Sequence, residues 1–179
     1  MHESSPYRAW LGTLPGLLGV AGVGWLAARV FGLQGPLFAV AVHIALMRWA
    51  LFVLKTVRPQ LRSGWFRVRD WEAGVYRGLG VMRYMGLLRT VGWERFRRSA
   101  QGFSGVRASL GTYERATREA EFSHVLLAGI GFGLVLGAAA LGQWNTAAWL
   151  LGANLFFQVY PVLLQRTMRA RLQRLGVEN

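Results

Sequence analysis

The sequence predicts an all-α, polytopic membrane protein with about four transmembrane helices and a cytoplasmic amphipathic middle segment. Two features of the 179 residues carry that prediction: 53% are hydrophobic, yet the formal net charge is +13. The charges are also segregated. Residues 58–123 hold 13 of the 21 basic residues, while long stretches on either side hold none or nearly none. A soluble domain scatters its charges, whereas a chain that crosses a bilayer cannot. The chain is taken as a single integral membrane domain, 1–179, with spans at about 11–28, 37–54, 125–142 and 147–164.

The first block, 11–28, is free of charge and as a helix would be about 27 Å long, nearly a hydrocarbon core of about 30 Å. Pro15 lies in its first turn, where a missing N–H costs little. Gly12 and Gly16 form a small-xxx-small pair that invites a close helix neighbour. Met1–Trp10 does not read as a cleavable signal peptide, because the apolar stretch after it is too long for one. The second block, 37–54, contains His43 and Arg48. An ionisable residue inside a span is a functional candidate. Arg48 could equally snorkel to the headgroups, and His43 could sit neutral, bonded to a neighbouring helix.

Residues 58–123 carry 13 Arg against six acidic residues, with aromatics such as Trp65, Trp71, Tyr76 and Tyr84 interleaved. The segment offers few aliphatics for a globular core, so the expectation is several short amphipathic helices lying on the membrane. Asp70 could cap a helix beginning at Trp71-Glu72. Residues 102–111 read as a loop and a helix resumes near Thr112. There Glu114 and Arg118 stand at i,i+4, and Arg118 reaches Glu121 at i,i+3.

The third block, 125–142, carries Gly129, Gly133 and Gly137 every four residues. This smooth ridge suits close packing of another helix, an oligomer contact or a rod-like lipid chain. The fourth, 147–164, holds Asn154 and Gln158 one turn apart, and Pro161, which frees a backbone carbonyl, so one of its faces is polar. The tail brings Arg166, Arg169, Arg171 and Arg174. Basic residues avoid the two short turns, 32–36 and 143–146, which places the chain in a cell inner membrane with the middle segment and both termini on the cytoplasmic side.

Several chemistries are excluded. With no cysteine there is no thiolate nucleophile, disulfide or thiolate-bound metal. No G-x-S-x-G elbow, H-E-x-x-H pair, P-loop or G-x-G-x-x-G fingerprint occurs, and no metal site is expected. The basic excess is explained by membrane orientation, so no nucleic acid is expected. What remains is Glu121 and His124. At i,i+3 they share a helix face at the mouth of the third span, where a carboxylate could fix an imidazole tautomer. A solvated helix start with Glu121 paired to Arg118 is the plainer alternative.

Three segments carry a family resemblance. Trp65-Phe66-Arg67-Val68-Arg69-Asp70-Trp71-Glu72, followed by Gly74, Tyr76 and Gly80-Val81, is the first. Thr117-Arg118 with Ala120-Glu121 and His124 is the second. Asn154, Tyr160-Pro161, Gln165-Arg166, Arg169 and Arg171 make the third. In order and placement they resemble the glycosyl-4,4'-diaponeurosporenoate acyltransferase family, which esterifies a glycosylated carotenoid in staphyloxanthin-type pigment synthesis. The sequence departs from the family pattern at Glu119, Gln158 and Met168.

The resemblance implies a membrane acyltransferase that moves a fatty acyl group from acyl-CoA to a sugar hydroxyl of a glycosylated carotenoid or related polyisoprenoid. No bound cofactor is expected, acyl-CoA being a co-substrate. His124 would be the general base with Glu121 orienting it. Arg166 and Arg169 would hold CoA phosphates, Trp71 and Glu72 would cap the site, and Arg118, Asn154, Gln158 and Gln165 would contact substrate. Set against this is a non-enzymatic structural or pigment-binding subunit of a membrane assembly.

Overall fold

The computed structural model describes residues 6–93 and 106–176, which are helical with no strand among them. The helices are α1 (Pro6–Leu11), α2 (Leu14–Phe31), α3 (Pro36–Val57), α4 (Glu72–Gly78), α5 (Val81–Thr90), α6 (Leu110–Ala140), α7 (Trp144–Asn154) and α8 (Tyr160–Arg174). A π-helical segment, Leu155–Val159, joins α7 to α8. Four stretches are long and apolar enough to cross a membrane: Tyr7–Phe31, Pro36–Val57, Arg107–Ala140 and Trp144–Arg174. The all-α membrane class is therefore as expected. By its contacts the chain divides into two compact units, residues 1–59 with 123–159, and 60–122 with 160–179.

In the first unit the helix ends follow local chemistry. The apolar block expected at 11–28 is broken near its start. Thr13 stands at the N-cap position of α2 without a side-chain cap, its hydroxyl donating back to the Trp10 carbonyl at 2.7 Å, and Pro15 falls in the first turn, where it costs no bond. Gly32, at φ 73°, ends α2 at Phe31, and Pro36 opens α3. The α2–α3 contact is set by Gly16, where an added Cβ would come 2.7 Å from Trp49 Cδ1. The Trp49 indole donates to the Thr13 carbonyl at 3.0 Å, so an aromatic ring is buried without orphaning its N–H.

Val42, Leu46, Trp49, Ala50, Val53 and Leu127 form the core of this unit. Leu18, Trp25, Leu136 and Leu141 are exposed, a pattern that suits lipid rather than water. Arg48 is also exposed, which fits an anchor better than a buried functional charge. His43 is buried; its Nδ1 bonds to the Ala39 carbonyl of its own helix at 2.8 Å, and the Asn154 side chain of α7 lies beside the ring. The ridge of Gly129, Gly133 and Gly137 meets nothing in the chain, since a Cβ at any of them would lie in open space. The close approach is at Gly131, where a Cβ would collide with the Asn154 side chain.

The second unit has a small apolar cluster of Val81, Met85, Leu88 and Leu164, edged by Tyr76, Tyr84 and Tyr160. Tyr84 and Tyr160 stack at 5.2 Å, and the Tyr160 hydroxyl donates to the Leu79 carbonyl at 3.1 Å. The sequence expectation of loose amphipathic helices did not include this compaction. It arises from charged groups, described below. Asp70 does not cap α4, which begins without a side-chain cap; instead the Glu72 carboxylate reaches back to the Arg69 amide at 3.0 Å. Of the loop expected at 102–111, residues 102–105 lie outside the described residues. A 3-10 turn at Arg107–Ser109 leads into α6, two residues earlier than the helix start read from the sequence.

Candidate functional site

Two polar constellations stand out, one in each unit. The first is an ionic centre in the second unit, built on Arg166 and Arg169 of α8. At i,i+3 these two share a helix face. Arg166 donates from Nη1 to Glu121 Oε1 at 2.8 Å, from Nε to Glu72 Oε2 at 2.8 Å and from Nη2 to Glu72 Oε1 at 3.0 Å. It also donates to the Trp65 carbonyl at 3.1 Å. Arg169 donates to the other oxygen of Glu121, to the Phe66 carbonyl at 2.8 Å and to Thr117 Oγ1 at 3.4 Å. Its guanidinium also lies 5.4 Å over the Phe66 ring.

Glu121 is wholly buried and Arg169 is 1% exposed. Charges so placed are tolerated only when every lone pair and proton finds a partner. Here they do. Glu121 Oε1 accepts from the Trp65 indole as well, at 3.1 Å. Glu114 lies 2.6 Å from Arg118 and 3.9 Å from Arg169. Arg118 in turn donates to the Leu61 carbonyl at 3.0 Å, pinning the start of the middle segment. Three carboxylates, Glu72, Glu114 and Glu121, thus face three guanidinium groups, Arg118, Arg166 and Arg169, and the centre is neutral.

Tyr76 completes one side. Its hydroxyl donates to Glu72 and accepts from Arg166 Nε at 3.0 Å. Burial, then the Glu72 carboxylate it bonds, push the Tyr76 hydroxyl up to about 12. Burial alone would raise Glu72. Hydrogen bonds from Tyr76, the Arg69 amide and Arg166 outweigh it and hold the carboxyl below its ordinary range.

The second constellation lies in the first unit. His124 Nδ1 is 2.8 Å from Gln158 Oε1; in the tautomer that donates its Nδ1–H to this oxygen, Nε2 carries the lone pair. The π-helical segment explains how Gln158 gets there. Pro161 has no N–H for the Phe157 carbonyl and its ring crowds that carbonyl, so the helix widens over Leu155–Val159. The Phe157 carbonyl also lies within hydrogen-bonding reach of the His124 ring. Asn154, buried just before the widening, donates to the Ala128 carbonyl at 3.2 Å over Gly131.

The structure therefore sorts the residues expected at a site. Glu72, Glu121, Arg118, Arg166 and Arg169 come together, but as an ionic centre whose guanidinium groups are already occupied by carboxylates. Holding CoA phosphates does not fit them. Glu121 does not take the expected role of orienting His124: Trp65, Arg166 and Arg169 take its oxygens, and Gln158 takes His124 Nδ1. Gln165 is buried, while Trp71 is exposed. Glu119 pairs with Arg115 at 3.2 Å on the exposed side of α6. Glu114, Trp65, Tyr76 and Thr117 join the centre without having been singled out. The i,i+4 spacing of Glu114 to Arg118 was the available signal for the first.

Chemically, the two constellations differ. An ionic centre whose guanidinium groups are bonded to carboxylates and backbone carbonyls is suited to fixing the backbone. An imidazole held by one nitrogen, with a lone pair on the other, is equipped to take a proton.

Comparison with known proteins follows the same residues. No curated protein and no solved structure matches the chain. The family model described as glycosyl-4,4'-diaponeurosporenoate acyltransferase matches residues 62–177, which include the whole ionic centre, His124 and Gln158. That match covers more than half of the chain, and the chain belongs to the glycosyl-4,4'-diaponeurosporenoate acyltransferase family.

Proposed function

We propose that the protein transfers a fatty acyl group from acyl-CoA to a sugar hydroxyl of a glycosylated carotenoid or related polyisoprenoid, with His124 as general base. The observation that carries the catalytic part is the 2.8 Å contact of His124 Nδ1 with Gln158 Oε1, which leaves Nε2 basic. Nε2 takes the proton of the sugar hydroxyl as its oxygen attacks the thioester carbonyl. The C–O bond forms, the C–S bond breaks, and the departing thiolate takes the proton back from the imidazolium. With no cysteine in the chain and no activated serine, direct transfer is simpler than an acyl-enzyme.

Gln158 is then a positioning residue, as is Asn154 through its bond to α6. The ionic centre shapes the second unit rather than acting on substrate. Trp71, expected to cap the site, is exposed. The protein would lie in the inner membrane with both termini cytoplasmic, surrounded by membrane lipid, and a second copy would pack on the open ridge of Gly129, Gly133 and Gly137.

The test is a reconstituted assay with acyl-CoA and a glycosylated carotenoid, with ester formation followed by mass spectrometry. His124→Ala should lower turnover by about 10²–10⁴-fold, the usual contribution of a positioned acid–base group. Full product from that variant would remove His124 from the mechanism. Pigment that co-purifies stoichiometrically without any acyl-CoA consumption would favour the binding-subunit reading.

A further inference from the structure

Occupied guanidinium groups at Arg166 and Arg169 leave open which residues meet the donor's negative charge. The answer lies in an extended stretch that leads into α4. Phe66 and Val68 are buried while Arg67 and Arg69 are exposed, the alternation that an extended backbone imposes. The backbone itself is tied to the ionic centre: the Arg69 amide donates to Glu72 at 3.0 Å, and the Arg67 carbonyl accepts from Arg166 at 3.5 Å. Arg67 and Arg69, both exposed, line a cleft with Arg174.

That cleft has a volume of about 200 Å³. A water needs roughly 10–15 Å³ of such volume, so the cleft has room for phosphate groups. Ala73 and Ala170 keep its floor shallow, and Gln173 adds an amide donor. Asp70 is the one carboxylate on its wall, so three arginines against one aspartate give a local charge of +2. Among the described residues none of these three arginines forms an ion pair, in contrast to Arg118, Arg166 and Arg169. Unpaired arginines on a backbone fixed from behind are pre-organised for bidentate phosphate contacts.

We propose that the cleft of Arg67, Arg69 and Arg174 binds the phosphate groups of the acyl donor, an inference that rests on the acyl-CoA reading above. The acyl chain and thioester extend away from the cleft, which holds only the charged end.

The probe is adenosine 3',5'-bisphosphate, titrated by calorimetry onto the full-length protein in phosphatidylcholine nanodiscs. Arg69→Gln/Arg174→Gln should weaken its binding by at least about tenfold, the loss expected from one charge-assisted contact. Arg83→Gln, an exposed arginine outside the cleft, should leave it unchanged and shows that general charge is not what is measured. In turnover the double variant should raise KM for acyl-CoA with kcat little altered. Equal bisphosphate affinity in the double variant and the parent overturns the proposal. So does a loss of binding to phosphatidylglycerol vesicles alone, with no bisphosphate bound, which would make the cleft a headgroup site. Bisphosphate bound in the cleft by a protein that never consumes acyl-CoA would sustain the phosphate site and reject the enzymatic reading.

Discussion

Glu121→Gln separates a carboxylate that builds the fold from one that performs chemistry. Glu121 is fully buried, and both of its oxygens are used by cations. Removing its charge leaves Arg169, itself 1% exposed, with only Glu114 at 3.9 Å. Breaking a buried ion pair from one side typically costs about 3–5 kcal/mol. Arg166 keeps Glu72, so the lower end applies, about 3 kcal/mol. For a chain of this length each kcal/mol moves Tm by roughly 2–4 °C, so the expected loss is about 6–12 °C. The assay is thermal unfolding in detergent followed by tryptophan fluorescence, to which Trp65, bonded to Glu121, contributes directly. Replacing both partners, Glu121→Leu with Arg169→Met, should recover part of the loss, because no buried charge is then stranded and Glu72 and Glu114 still balance Arg118 and Arg166. A Glu121→Gln protein that melts like the parent but has lost turnover would refute this reasoning and return the carboxylate to the mechanism.

Four further outcomes follow from the same geometry. Gln158→Leu should retain the fold and lower kcat, and Gln158→Glu should shift the pH–rate profile, because each changes what holds the His124 ring. Tyr76, raised to about 12 from 10.0, contributes stability that is complete below pH 10 and lost as pH rises through about 12; Tyr76→Phe should flatten that alkaline limb of a Tm-against-pH curve. Glu72, lowered from 4.5, contributes stability present above that pH and lost as pH falls through its folded value, so Glu72→Gln should flatten the acid limb of the same curve. Gly131→Ala should destabilise by about 1–3 kcal/mol through overpacking against Asn154, whereas Gly152→Ala, in open space and off the glycine ridge, should melt no lower than the parent.

The membrane class was legible because it follows from charge segregation, which needs no partner to be known. Helix ends were legible where a single residue sets them, as at Pro15, Gly32 and Pro36, and missed where the signal was ambiguous, as at Asp70. The ionic centre was not legible. Spacing shows that Glu121 and His124 share a face of α6, but it cannot show that Glu121 is claimed by Arg166, forty-five positions away. The small number of aliphatics in 60–122 argued against a compact unit, and it misled for a physical reason: balanced, saturated ion pairs fill the space that leucines otherwise would. The glycine ridge meets nothing within the described chain, because a smooth face permits packing without itself supplying a neighbour. The motifs that mark the family mostly encode this centre, with His124 and Gln158 as the part that speaks to chemistry.

The neutrality of the ionic centre bears on how the chain is made. Glu72, Glu114 and Glu121 are synthesised well before Arg166 and Arg169, and until α8 arrives three carboxylates share one nearby cation, Arg118. The second unit therefore cannot close progressively from its N-terminal side, as domains often do during synthesis. Its closure waits for the tail. A truncated product lacking α8 would leave Glu72 and Glu121 without the guanidinium groups that they bond, so the last helix to be made is the one that completes the centre.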